Sequence, residues 1–243
     1  MHKLSVHKIP VVSSESVSPG SATSPSTRGI ISVPHPRSSD AVIYFDVRQQ
    51  ELGILNKTSG EKACTHHVDC HQDPITPGPI AVHEKGRRVL LLCRGTRFAD
   101  NQLLEIDLES GEQTIRHRYN GPGWLMGQFL KDEVIIFEQR LGDEPTFVVK
   151  KGESTIWESS GTQPMVLPQI WSDQFIIMLA CLNPNPLTRT GPTQLCALDI
   201  NSSAMFPLSS IEGQRLSIDR NVIRVENLNN NAHDFALELK ADS

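Results

Sequence analysis

The sequence predicts an all-β chain of five similar four-stranded units, the organisation of a five-bladed β-propeller, and three observations carry that prediction. Short, continuously apolar runs recur as AVIYF (41–45), RVLLLC (88–93), EVIIF (133–137), QFIIMLAC (174–181) and NVIRV (221–225). With Val42, Val89, Val134, Ile176 and Val222 as markers, the spacings are 47, 45, 42 and 46 residues. Self-similarity at such a period marks a propeller or a solenoid. Each run is followed by alternating apolar residues leading into a Gly- or Ser-containing turn, most clearly in NQLLEIDLESGEQTIRH (101–117). There a residue at positive φ lets a short hairpin close. Sixteen Gly and sixteen Pro in 243 residues require many turns, which suits strands better than helices.

The apolar runs are too short for most helices, and their lack of alternation suits middle strands covered on both faces. The hairpin that follows them repeats in detail. QLLEIDLES (102–110) falls over QLCALDINS (194–202) with Gln, Leu, Asp and Ser matching, and IDLE (106–109) falls over LELK (237–240). GILNKTSGEK (53–62) and TFVVKKGEST (146–155) fill the remaining places. Each unit then divides into strands a to d. In the second unit these are PIAVHEKG (79–86), RRVLLLCRG (87–95), NQLLEIDLESG (101–111) and EQTIRHRY (112–119). In the fourth they are PMVLPQIWSD (164–173), QFIIMLACL (174–182), TQLCALDINSS (193–203) and AMFPLSS (204–210).

IWSDQFIIMLA and QLCALDINSS resemble the WD40-like propeller repeats of the TolB and prolyl-oligopeptidase type. The resemblance extends over residues 29–243 and implies architecture, while that repeat serves binding proteins and enzyme domains alike.

The fifth unit, QRLSIDR, NVIRVENLNNN and AHDFALELKADS (214–243), stops after strand c. An unpaired outer edge invites aggregation. KLSVHKIPVV (3–12) is extended in character and is expected to cross over as the missing strand, with a disordered tail as the alternative. Pro10 is tolerable in an outermost strand, which needs one line of hydrogen bonds. Between this strand and the propeller domain at 29–243 lies SSESVSPGSATSPSTR (13–28), too poor in apolar residues to offset its ordering entropy. It is expected to be a flexible segment.

The net charge of −5 gives no reason to expect nucleic acid, and no apolar stretch approaches the roughly 18 residues that a membrane span needs. Cys93, Cys181 and Cys196 lie in apolar runs, and five cysteines make an odd number, so reduced thiols and a cytoplasmic location are expected. Export without a standard signal peptide, as for a secreted bacterial effector with a Ser-rich start, is the alternative.

Up-down strand order puts the b–c and d–a connections at one end of each blade, and the a–b and c–d turns at the other. The long loops THHVDCHQDPITPG (65–78) and NPNPLTRTGP (183–192) both fall at the first end, which we take as the working face. The b–c connections also carry Arg48, Arg94, Arg97, Arg140 and Arg189, and guanidinium groups suit bidentate capture of carboxylate or phosphate. Ordinary solvated or paired arginines are the competing explanation. His35, His83 and Gln128 belong to strand a, which lines a propeller's channel, and join the candidate ligand-binding set.

CTHHVDCHQD (64–73) is the densest group of potential ligands, so His66, His71 and His83 are the candidate metal set, for zinc or manganese. The C-x5-C spacing departs from structural zinc sites, and neighbouring histidines on a strand face opposite ways. There is no G-x-S-x-G, P-loop or dinucleotide fingerprint. Trp124, Trp157 and Trp171 are expected in blade packing. The expected function is a non-catalytic binding or scaffold propeller that recognises an anionic small molecule or a protein, with no cofactor, nucleic acid or membrane. The alternative is a metal-assisted lyase or hydrolase of an anionic substrate such as a sugar acid.

Overall fold

A computed structural model describes residues 2–9, 29–70, 80–93, 100–143, 145–160, 162–164, 168–182, 193–211, 215–226 and 232–241. Twenty-one strands and no helix are found among them. The first, β1 (His2–Ile9), belongs to the last sheet. The first sheet is β2 (Ile30–His35), β3 (Ser38–Asp46), β4 (Glu51–Asn56) and β5 (Lys62–His67), and the second is β6 (Ala81–Val82), β7 (Arg88–Cys93), β8 (Asn101–Asp107) and β9 (Gln113–Tyr119). The third is β10 (Gly123–Leu130), β11 (Glu133–Arg140), β12 (Thr146–Lys151) and β13 (Ser154–Ser160). In the fourth, β14 (Thr162–Pro164) and β15 (Gln169–Trp171) both pair with β16 (Phe175–Leu182), followed by β17 (Thr193–Asp199) and β18 (Ala204–Ser210). The fifth is β19 (Arg215–Asp219), β20 (Val222–Glu226) and β21 (Ala232–Ala241), and β1 completes it. This is the five-bladed β-propeller expected from the repeat, with antiparallel neighbours in order a to d in every blade.

β1 pairs antiparallel with β21 over eight residues, from His2 opposite Ala241 to Ile9 opposite Asp234. The N-terminal segment therefore supplies the strand that the fifth repeat lacks, and Leu4 is buried with Phe235 and Leu237 in its core. Residues 10–28, including Pro10 and the Ser-rich stretch, lie outside the described residues.

By their contacts the residues form two compact units: Gly20–Leu141 with Val148–Thr155, and Met1–Pro19 with Gly142–Phe147 and Ile156–Ser243. In the first unit, β7 explains why its sequence does not alternate. Val89, Leu91 and Cys93 pack against Ile43, Phe45 and Leu52 of the first sheet. Leu90 and Leu92, on the other face, pack against Leu125, Val134 and Ile136 of the third. Each such side chain contributes roughly 1.5–3 kcal/mol on full burial. Gly127 in β10 lets those sheets approach, since a Cβ there would stand 2.5 Å from Leu103. In the second unit the same arrangement joins the fourth and fifth sheets through Phe175, Ile177, Leu195, Ile223 and Val225.

Three expectations are corrected. Strand a of the second blade is two residues long, Ala81–Val82, because His83 already begins the a–b turn, with the Gly86 N–H donating to its carbonyl at 2.7 Å. In the fourth blade strand a is two pieces rather than one. The thiols are not all reduced: Cys70 and Cys93 form a disulfide, while Cys64, Cys181 and Cys196 are free. The chain after β5 crosses to the second sheet, and that crossing brings together two cysteines 23 residues apart.

Candidate functional site

Short turns close the a–b ends of the blades and the c–d ends of the first four, and in three of the c–d turns the recurring Asp or Asn of the repeat builds the turn. Asp107 Oδ1 accepts from the N–H groups of Glu109 and Ser110 at 2.9 and 3.0 Å. Asn56 does the same for Thr58 and Ser59, and Asp199 for Asn201 and Ser202. A side-chain oxygen thus stands in for a backbone acceptor, which is why short polar residues recur at turns. Partial burial would raise the Asp107 carboxyl, but bonds from the Ser110 N–H, Arg87 and the Glu109 N–H outweigh it and hold the group at about 2. Repetition of Asp and Gly here is a turn signature.

The longest connections are at the other end of each blade. The strand ends that border 10–29 (β1 to β2), 68–80 (β5 to β6) and 183–192 (β16 to β17) are at the b–c or d–a end of their own sheets. Arg48 lies there in the b–c turn, exposed, with its N–H donating to Asp46 Oδ1 at 2.9 Å. Arg94, Arg97, Arg189 and His71 are outside the described residues.

Arg140 is not in the connection but is the last residue of β11, where its Nε donates to Glu138 Oε1 at 2.5 Å. Glu138 is only 1% exposed and is the centre of a polar network in the first unit. His117 Nε2 lies 2.6 Å from its Oε2, and Lys150 Nζ lies 3.8 Å from the same oxygen. Burial would raise the Glu138 carboxyl, yet the bonds from His117 and Arg140 and the charges of Arg140 and Lys150 hold it below the ordinary range.

His35 and His83 both sit at the a–b end, away from the long loops. His35 Nδ1 accepts from the Arg37 N–H at 3.2 Å, and its ring rests against Gly86. His83 is 2% exposed, and its Nδ1 accepts from the Lys85 N–H at 3.2 Å. In the neutral ring the proton is therefore on Nε2, which faces Asp132 Oδ1 at 3.4 Å without hydrogen-bond alignment. Asp132 Oδ1 instead accepts from Arg88 Nη2 at 2.7 Å, and Arg88 reaches Glu105, which also accepts from Arg116 Nε at 2.8 Å. Gln128 lies within β10 opposite Ile135.

His66 is committed to the neighbouring blade. Its Nε2 donates to the Leu108 carbonyl at 2.8 Å, and Gln113 beside it donates to His67 O at 2.7 Å. The outer end of the first blade is thus fastened to the c–d turn of the second. Trp171 Nε1 donates to Arg220 O at 2.8 Å, and Trp157 packs edge-on to Phe147 at 6.0 Å, both within the second unit.

Residue type alone did not reveal Glu105, Asp132 or Glu138. The signal was charge pairing between strands: FEQR in β11 ends in a carboxylate and a guanidinium, while RHRY in β9 and VVKK in β12 bring the cations.

No protein-family model matches this chain, and no curated protein does. Solved structures resemble it. An oligogalacturonate lyase in complex with manganese is 13% identical, with a TM-score of 0.58 over 78% of this chain and 56% of the lyase. The β-propeller domain of the trilobed protease of Pyrococcus furiosus is 8% identical, with a TM-score of 0.52 over 82% of this chain and 64% of that one. TolB from Acinetobacter baumannii is 10% identical, with a TM-score of 0.48 over 86% of this chain and 54% of TolB. This chain thus spans between 54% and 64% of the length of these three. The likeness to the lyase and to the trilobed protease domain carries the fold alone, a β-propeller, here of five blades.

Proposed function

We propose that the protein is a non-catalytic binding propeller that recognises an anionic small molecule or an acidic patch on a protein at its b–c and d–a end. The observation that supports this most is the distribution of connections. The a–b and c–d ends are closed by short turns, whereas the strands that border the long connections 10–29, 68–80 and 183–192 meet them at the opposite end of their own sheets. Long connections on a rigid scaffold are where recognition is usually placed. Arg48 is exposed at that end, and Arg94, Arg97 and Arg189 belong to connections that start there.

Metal-assisted lyase chemistry is less well supported. The manganese of the lyase structure belongs to that protein. Among the described residues no three of His, Cys, Asp and Glu gather as a metal-binding group. His66 is bonded to Leu108, and His83 faces Asp132 beside the Phe129 ring. His71, the third member of the candidate metal set, lies outside the described residues.

Calorimetric titration with citrate, inorganic phosphate and sulfate tests the binding proposal. At least one should bind, and changing Arg48, Arg94, Arg97 and Arg189 together to Glu should weaken it at least tenfold. Unchanged affinity in that variant, or no binding by any of the three, overturns it.

A further inference from the structure

We propose that Cys70 and Cys93 are a native covalent clamp, acquired by thiol–disulfide exchange, which makes the stability of the first two blades depend on redox conditions. The clamp does not rest on the binding proposal.

The backbone delivers both cysteines to each other by contacts that need no bond between them. Cys93 ends β7 and is held in register opposite Gln102 of β8. Cys70 is held by the first blade, where the Gln50 side chain donates to its carbonyl at 2.9 Å and the Val68 N–H donates to Gln50 O at 2.7 Å. On the second blade Gln113 accepts from the neighbouring Asp69 N–H at 3.2 Å and donates to His67 O. The resulting Cα separation of 5.8 Å is in the usual disulfide range. Such preorganisation gives one thiol a high effective concentration at the other.

The pairing is also selective. Cys70 and Cys93 are 4% and 6% exposed within one core cluster that includes Val68, Ile80 and Leu91. Cys181 lies opposite Thr193 and Cys196 opposite Met178, so those two are out of register with each other. Burial pushes the Cys196 thiol up to about 11 and raises Cys181, which leaves little thiolate to react. Cys64 is exposed and free.

The chemistry requires an oxidised dithiol partner or glutathione disulfide. One cysteine thiolate attacks a sulfur of that disulfide, forming a mixed disulfide and expelling the first partner thiolate. The second cysteine thiolate then attacks the mixed disulfide, forming the Cys70–Cys93 bond and expelling the second partner thiolate. The two protons released by the cysteines end on the two partner thiols, so one disulfide is made as one is reduced. Burial of both cysteines slows reduction of the bond once it has formed.

Peptide mapping after alkylation without reductant should show one disulfide, joining the Cys70 and Cys93 peptides, with alkylated Cys64, Cys181 and Cys196. Reductant should lower the melting temperature of wild type and of Cys64→Ser by about 6–12 °C, the size expected for a short closed loop in a chain of this length. It should not shift the double variant Cys70→Ser/Cys93→Ser. Five free thiols in wild-type protein refolded with glutathione disulfide would overturn the clamp. So would a mapped bond with no melting difference between oxidised and reduced wild type.

Discussion

Removing residues 1–12 lowers the melting temperature by roughly 6–20 °C, the consequence of losing about 3–5 kcal/mol in a chain of this size. The deletion takes away the eight-residue ladder between β1 and β21 and the buried Leu4, and it leaves β21 as a bare edge next to Phe235 and Leu237. Such an edge is a template for association, so the truncated protein should also aggregate more readily. Leu4→Ala separates packing from hydrogen bonding and should cost about 2–4 kcal/mol. A synthetic peptide of residues 1–12 added to the truncated protein should restore part of the stability. A truncated chain that melts like the full one would show that β1 contributes nothing to the fifth blade.

Glu138→Ala is the second change with a large expected effect. The carboxylate is buried and answers Arg140, His117 and Lys150 at once. Removing one partner of a buried charge network leaves the others uncompensated, which costs about 3–5 kcal/mol, or roughly 6–20 °C in melting temperature. The pH dependence has a definite sign. The folded carboxyl is held below its ordinary value, so its contribution is complete above the unfolded Glu range near pH 4 and is lost as pH falls through the folded value. Wild type should therefore lose stability on acidification below about pH 4, and Glu138→Gln, which keeps the shape without the charge, should lose less over that interval. Equal acid limbs in the two proteins, measured by urea unfolding, would remove Glu138 from the account.

Blade boundaries were legible because the middle strands are covered on both faces, as the alternate partners of Val89 and Leu90 show. The turns were legible because Asn56, Asp107 and Asp199 perform the same task at the same point of the first, second and fourth repeats. What sequence did not show depends on neighbouring sheets. Cys70 meets Cys93 only through the crossing from β5 to the second sheet, so counting cysteines pointed to free thiols. Arg140 belongs to the anion-binding set by position in the chain, and its pairing with the buried Glu138 two residues earlier was not visible from that position. His66 resembles a metal ligand by its company in the sequence, and the carbonyl it meets is on the adjacent blade. Local periodicity records the strand, whereas these partners are set by how strands of different repeats come to lie together.

The central functional claim is that recognition belongs to the end of the blades where the long connections leave, and that the turn end is structural. Hydrogen–deuterium exchange with and without saturating citrate tests it most directly. Protection confined to peptides covering 47–50, 94–100 and 183–192 is the predicted result. Protection centred on the turns at 36–37, 84–87 and 131–132, with none at the long connections, would contradict it.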